Sequence, residues 1–172
     1  MEMAGKIPNL MLMTDAKLCI GCHACEVACK QEFDLPVGPR WIRVVQVGPR
    51  KVGGKLRMDF VPVYCRHCGK PPCADVCPVK AITKRSDGIV LVNKELCIGC
   101  KRCLEACPFG VMQFNAKKAA AEMCNLCVHR VDKGLAPRCI QHCPTGALFF
   151  GDPNDFGKKI EDEAAKSVVP SE

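Results

Sequence analysis

Apolar positions in this chain come in short bursts, broken every few residues by Gly, Pro or a charge. After Pro78, AITKRSDGIVLV sets two bursts around Ser86, Asp87 and Gly88, the pattern of a β-hairpin. GVMQF (110–114) and GALFF (146–150) read as further strands. Within residues 34–60, WIRVVQV reads as a strand, PRKVGG as a turn and LRMDF as a returning strand. Short helices are expected over residues 26–32 and 102–106, each holding the last of four closely spaced cysteines. KKIEDEAAK, in the polar tail 153–172, suggests another, either a partner-binding arm or a frayed end. The predicted fold class is α+β, built from small pieces.

Composition changes that picture by asking what holds such pieces together. The chain has 172 residues, with 16 Cys against 7 Phe, 1 Trp and 1 Tyr. Small domains short of large core side chains are usually stiffened by disulfides or bound metal. The N-terminal stretch MEMAGKIPNLMLMTDAK lacks the basic-then-apolar order of a secretory signal, and no apolar run approaches the roughly 18 residues of a membrane span. A cytoplasmic location is expected, with export bound to a signal-bearing partner left open. Cytosolic thiols stay reduced, so clustered cysteines point to metal.

The cysteines form four groups of four with none left over. The first is Cys19, Cys22, Cys25 and Cys29; the second Cys65, Cys68, Cys73 and Cys77; the third Cys97, Cys100, Cys103 and Cys107; the fourth Cys124, Cys127, Cys139 and Cys143. Residues 18–29, LCIGCHACEVAC, return at 96–107 as LCIGCKRCLEAC, with eight identities in twelve positions. The second group widens the middle gap by two residues, and the fourth carries the insertion VHRVDKGLAPR. Pro follows Cys77, Cys107 and Cys143, whereas Lys30 follows Cys29. Three cysteines on a tight turn reach three iron corners of a 4Fe-4S cube, and a fourth about one helical turn on projects away from that loop. Structural zinc, usually held by two separated Cys-x-x-Cys pairs, suits only the fourth group. Four cubanes with their thiolates carry about −8, which turns the formal +7 of the chain into about −1. The basic excess is then internal compensation, and nucleic acid drops out as a partner.

The chain resembles the four-cluster ferredoxin-like subunits that accompany molybdenum or tungsten pterin enzymes of the dimethyl sulfoxide reductase and aldehyde oxidoreductase systems. The likeness runs from about residue 11 to residue 152, on CIGCHACEVACK…LPVG, YCRHCGKPPCADVCP, CIGCKRCLEACPFGV and CNLC…PRCIQHCPTGAL. It implies four 4Fe-4S clusters, on Cys19, Cys22, Cys25 and Cys143; on Cys124, Cys127, Cys139 and Cys29; on Cys65, Cys68, Cys73 and Cys107; and on Cys97, Cys100, Cys103 and Cys77. It also implies nested ferredoxin-like units: an inner one at 65–107 and an outer one at 1–64 plus 108–152, with a hairpin insertion at 34–60 and a tail at 153–172. A catalytic subunit with pterin-bound tungsten or molybdenum and a second redox partner are the partners implied.

Among the remaining residues, His23, His67, His129 and His142 lie near ligands and are expected to tune clusters or face solvent. Gly21 and Gly99 are expected to let backbone pass close to a cube, with Ile20 and Ile98 shielding it from water. Arg40, Arg43, Arg50, Lys51, Lys55 and Arg57 mark a solvated hairpin or a docking surface, and Trp41 a core plug or an interface anchor. There is no dinucleotide fingerprint, phosphate loop or nucleophile–base arrangement, and the cysteine arithmetic leaves no open iron, so no catalytic site is expected. Three functions compete: an electron-transfer subunit of an oxidoreductase, a free polyferredoxin that serves several enzymes or stacks on itself, and a zinc-stapled binding module.

Overall fold

A computed structural model describes residues 10–153 and 156–158. All sheets are antiparallel pairs of strands. Strand β1 (Met11–Thr14) opens the chain and pairs with the last strand, β8 (Leu148–Gly151), so the two ends of the described chain are stitched together. Between them lie α1 (Ala24–Phe33), the long hairpin β2 (Ile42–Val52) and β3 (Lys55–Tyr64), α2 (Pro72–Asp75), the hairpin β4 (Ile82–Lys84) and β5 (Val90–Val92), α3 (Arg102–Ala106), the hairpin β6 (Gln113–Asn115) and β7 (Ala120–Glu122), α4 (Val128–Val131) and α5 (Arg138–Gln141). Helix α1 packs against α5, and α2 against α3.

Helix lengths follow from what comes after the cysteines. A residue before proline is pushed out of the helical region, and Cys107 duly has φ −79°, ψ 111° at the end of α3. Helices α2, α3 and α5 therefore stop after 4 or 5 residues, while α1, with Lys30 after its last cysteine, runs for 10. The expectation that both predicted helices hold their last cysteine thus fits α1, which contains Cys29, but not α3, which ends one residue before Cys107.

The hairpin around Ser86–Gly88 forms as expected, whereas the strands read from GVMQF and GALFF begin later, at Gln113 and Leu148. Val111, Met112 and Ala147, at the front of those runs, are buried core rather than ladder. In the long hairpin, pairing continues past Pro49 through a register shift between Val47 and Arg50, so the turn is Gly53–Gly54 alone. Positive φ angles of 57° and 78° explain why two glycines sit there. All of the expected tail helix except Lys158 lies outside the described residues.

The buried core interleaves Leu12, Ile42, Tyr64, Ile89, Val90, Met123 and Leu126 with cysteines from all four groups. Trp41 belongs to it, 4% exposed with its ring centroid 4.4 Å from that of Phe33 at a tilt of 40°, which makes it a core plug.

Candidate iron–sulfur centres

The third cysteine of every group, Cys25, Cys73, Cys103 and Cys139, is the second residue of a helix. In the first three groups the first two cysteines lie on the loop before that helix, and in the fourth Cys124 and Cys127 lie on the loop before α4; the backbone in these loops turns through left-handed conformations. Gly21 and Gly99 have φ 70° and 68°, and the residues after the next cysteine, His23 and Lys101, have φ 60° and 62°, so the first and third loops trace the same path. His67, Leu126 and Cys127 supply the corresponding positive angles in the second and fourth groups. Alternation of right- and left-handed residues turns successive N–H groups inward, the concavity that suits an anion.

The structure brings twelve of the thiols together across groups in three cavities. One cavity is lined by Cys19, Cys22, Cys25 and Cys143, a second by Cys65, Cys68, Cys73 and Cys107, and a third by Cys77, Cys97, Cys100 and Cys103. They are of one size, about 310, 330 and 340 Å³ of empty space including their open mouths. The remaining four, Cys29, Cys124, Cys127 and Cys139, are all buried, and the Cys29 thiol is pushed up by its burial first and then by the Cys124 and Cys127 thiols. Among the described residues no three Cys, His, Asp or Glu side chains converge on a single-ion site. The thiols are spread around voids that suit a cluster rather than one metal ion.

Burial pushes the Cys25 and Cys65 thiols up to about 12 and that of Cys103 up to about 11, with neighbouring thiols adding to the effect. Four thiolates so close together therefore require the positive iron core, and loading releases protons. Cys143 goes the other way. Burial alone would raise it, but backbone N–H groups of Leu148, Ala147 and Thr145 and the Thr145 hydroxyl hold it below the ordinary value. Other sulfurs also accept backbone N–H bonds: Cys65 from His67 at 3.4 Å, Cys77 from Ala81 at 3.3 Å and Cys97 from Ala121 at 3.4 Å.

Neighbours refine several expectations. Ile20 and Ile98 line cavity edges but are 60% and 63% exposed, so they are apolar rims rather than seals. Gly21 makes room for the Phe60 ring, whose atoms lie 2.5–2.6 Å from where a Cβ would stand, and Gly99 for the Ala119 carbonyl at 3.0 Å and Phe114 at 3.4 Å. His67 is buried and accepts the Val90 N–H at Nδ1, so its proton sits on Nε2; burial lowers its pKa to about 4. His23, His129 and His142 bond at the surface to Glu26, Glu32 and the Arg138 carbonyl. Composition offered no pointer to Glu26. Its carboxylate, between Cys25 and Cys29, accepts from the Val44 N–H and from Arg40, and ties the long hairpin to α1. Glu32 likewise gathers His129, Arg130 and Arg138, which fastens the insertion of the fourth group onto α1.

A 4Fe-4S dicluster domain matches residues 56–153 and another residues 18–81, and this protein belongs to that family of ferredoxin-like iron–sulfur proteins. It carries four 4Fe-4S clusters and works by relaying electrons through them, without converting a substrate itself. It is 43% identical to a thiosulfate reductase electron transfer subunit of Salmonella typhi, over 82% of this chain and 74% of that one. A subunit of the tetrathionate reductase of Salmonella typhimurium is 39% identical over 87% and 60% respectively. One of the chains of the anaerobic dimethyl sulfoxide reductase of Escherichia coli is 36% identical over 91% and 80%. The chain thus spans less than two thirds of the tetrathionate reductase relative. No helix among the described residues is long and apolar enough to cross a membrane.

Proposed function

We propose that the chain is the electron-transfer subunit of a cytoplasmic oxidoreductase complex whose catalytic subunit holds a pterin-bound molybdenum or tungsten. Its ligand sets are those of the four cross-group constellations: Cys19, Cys22, Cys25 with Cys143; Cys124, Cys127, Cys139 with Cys29; Cys65, Cys68, Cys73 with Cys107; and Cys97, Cys100, Cys103 with Cys77. Bound there, each cluster supplies a one-electron site whose charge, thiolates included, alternates between about −2 and −3.

The observation that carries this reading is the reach of thiols from one set to the next. Helix α1, which carries Cys25 and Cys29, packs on α5, which carries Cys139; Cys65 Sγ lies 3.6 Å from Met123 Sδ, beside Cys124 in the chain; and α2, with Cys73, packs on α3, with Cys103. That orders the sets in a single line: first group, fourth, second, third. Cys22 and Cys100 are the exposed cysteines, and they belong to the two terminal sets. The chain's own part is to hold neighbouring sites in rigid relation through α1 on α5 and α2 on α3, to bury the site of Cys29, Cys124, Cys127 and Cys139, and to leave an edge open at each end. The pairings support a nested arrangement, the inner unit built on the second and third groups and the outer on the first and fourth, closed by β1 on β8. A free polyferredoxin is less favoured, because the relatives are named as chains or subunits of reductases.

Anaerobic purification from the native host tests this directly. About sixteen irons and sixteen sulfides per chain, a visible band bleached by dithionite, and a co-purifying pterin-containing subunit are expected. Zinc in place of iron sinks the electron-transfer reading, and full iron with no such subunit sinks the complex.

A further inference from the structure

The hairpin of β2 and β3 does something that cluster binding does not require. Every residue from 45 to 58 is exposed, so the ribbon leaves the body of the protein with both faces in solvent. A two-stranded ribbon standing alone is marginally stable. This one is stiffened from within by Asp59, which takes Arg50 at 2.7 Å and Arg57 at 2.7 Å.

Its side chains are not those of an idle arm. The register sets Val47 opposite Asp59 and Arg50 opposite Arg57, so Val45 and Val47 share one face with Asp59, Arg50 and Arg57. Leu56 and Met58, offset by one residue, take the other face with Lys51. Val45 and Val47 are each 39% exposed, Leu56 74% and Met58 42%. Apolar surface on both faces fits an occupant with two walls; a flat surface, lipid included, would cover only one. Between residues 42 and 64 the ribbon carries Arg43, Arg50, Lys51, Lys55 and Arg57 against the single acid Asp59. That excess repels a second copy of the same arm and calls for carboxylates on its partner.

We propose that the β2–β3 arm is the clasp that docks the catalytic subunit, inserting into a groove whose walls are apolar and whose rim is acidic. This rests on the complex proposed above. At the base of the arm, Val44 and Pro62 line the cavity of Cys19, Cys22, Cys25 and Cys143, and Glu26 holds the Val44 N–H, so the clasp is anchored on the helix that carries Cys25 and Cys29.

The test uses the tagged, fully loaded protein purified anaerobically with its catalytic subunit, beside three variants: Val45→Asp/Val47→Asp on one face, Leu56→Asp/Met58→Asp on the other, and Lys51→Glu/Lys55→Glu at the tip. All six positions are exposed, and iron content per chain verifies that each variant is folded. Each variant is expected to retain its iron and to bring down roughly tenfold less of the catalytic subunit, the scale of removing two anchors, with the tip variant also losing the salt dependence of the wild type. Retention in all three overturns the clasp, and loss from one face only overturns the two-walled groove. If the variants keep the catalytic subunit but lose self-association, or lose flotation with phosphatidylserine vesicles, the arm belongs to a second copy or to a membrane. A wild-type chain that brings down no pterin-containing subunit fails the proposed function itself, and the clasp falls with it.

Discussion

Phe60 occupies the space that any side chain on Gly21 would need. Two costs therefore meet at that residue: a left-handed φ of 70° and a ring at 2.5 Å. Gly21→Ala should lower the stability of the loaded protein, read by denaturation, by about 1–3 kcal/mol. Adding Phe60→Ala should recover the steric part, so the double variant is expected to fall short of additivity. A strictly additive pair would show that the ring yields freely. Phe60 should also influence redox behaviour. Reduction adds a negative charge, and water stabilises the more highly charged state, so removing an apolar neighbour raises the potential. Phe60→Ala is expected to move the midpoint of one cluster upward in a potentiometric titration followed by paramagnetic resonance, with the others unmoved. Phe114→Ala should do the same to a different cluster, because Phe114 stands to Gly99 much as Phe60 stands to Gly21.

At the scale of elements, one residue after a cysteine decides how far a helix runs. Lys30 lets α1 continue to Phe33, and that extra length carries Glu32 to His129, Arg130 and Arg138 and sets Phe33 against Trp41. Lys30 also donates through Nζ to the Pro36 carbonyl, and its own carbonyl accepts the Leu35 N–H that closes the helix. Lys30→Pro would give the first group the Cys-Pro ending of the other three. The proline removes an internal helical hydrogen bond and clashes with the preceding turn, a cost of about 3 kcal/mol. The variant should assemble clusters less completely, with the deficit read as iron per chain, and should expose the insertion around α4 to proteolysis. Full iron content and unchanged proteolysis would show that the length of α1 is dispensable.

Across the whole molecule, two buried carboxylates join parts distant in the chain. Burial alone would raise the Glu122 carboxyl, but the Lys94 ammonium at 2.8 Å and the Asn115 amide outweigh it and hold it below its ordinary 4.5. Glu26 is held low in the same way by the Val44 N–H, His23 and Arg40, again against its burial. A carboxyl whose pKa is depressed on folding stabilises the fold above its unfolded value and ceases to do so as pH falls through the folded one. Denaturation midpoints should therefore be level with respect to these groups above about pH 5 and fall below it, and Glu122→Gln should flatten part of that fall while lowering the plateau. The amino-acid order alone determined the chemistry: sixteen cysteines at these intervals admit a cluster-binding fold because spacing along a turn and a helical step is local geometry. It also determined the Ser86–Gly88 hairpin and α3, whose signals are likewise local. Which group completes which site came into view only through a family resemblance. Cys25 and Cys143, far apart in the chain, line one cavity, and the pairing proposed above rests on such placements. Only tertiary structure decided that Ile20 and Ile98 are rims, that Phe60 fills the space over Gly21, and that residues 45–58 of the long hairpin stand free of the body. Each of those depends on which segments meet, and no periodicity within one segment encodes its distant neighbours.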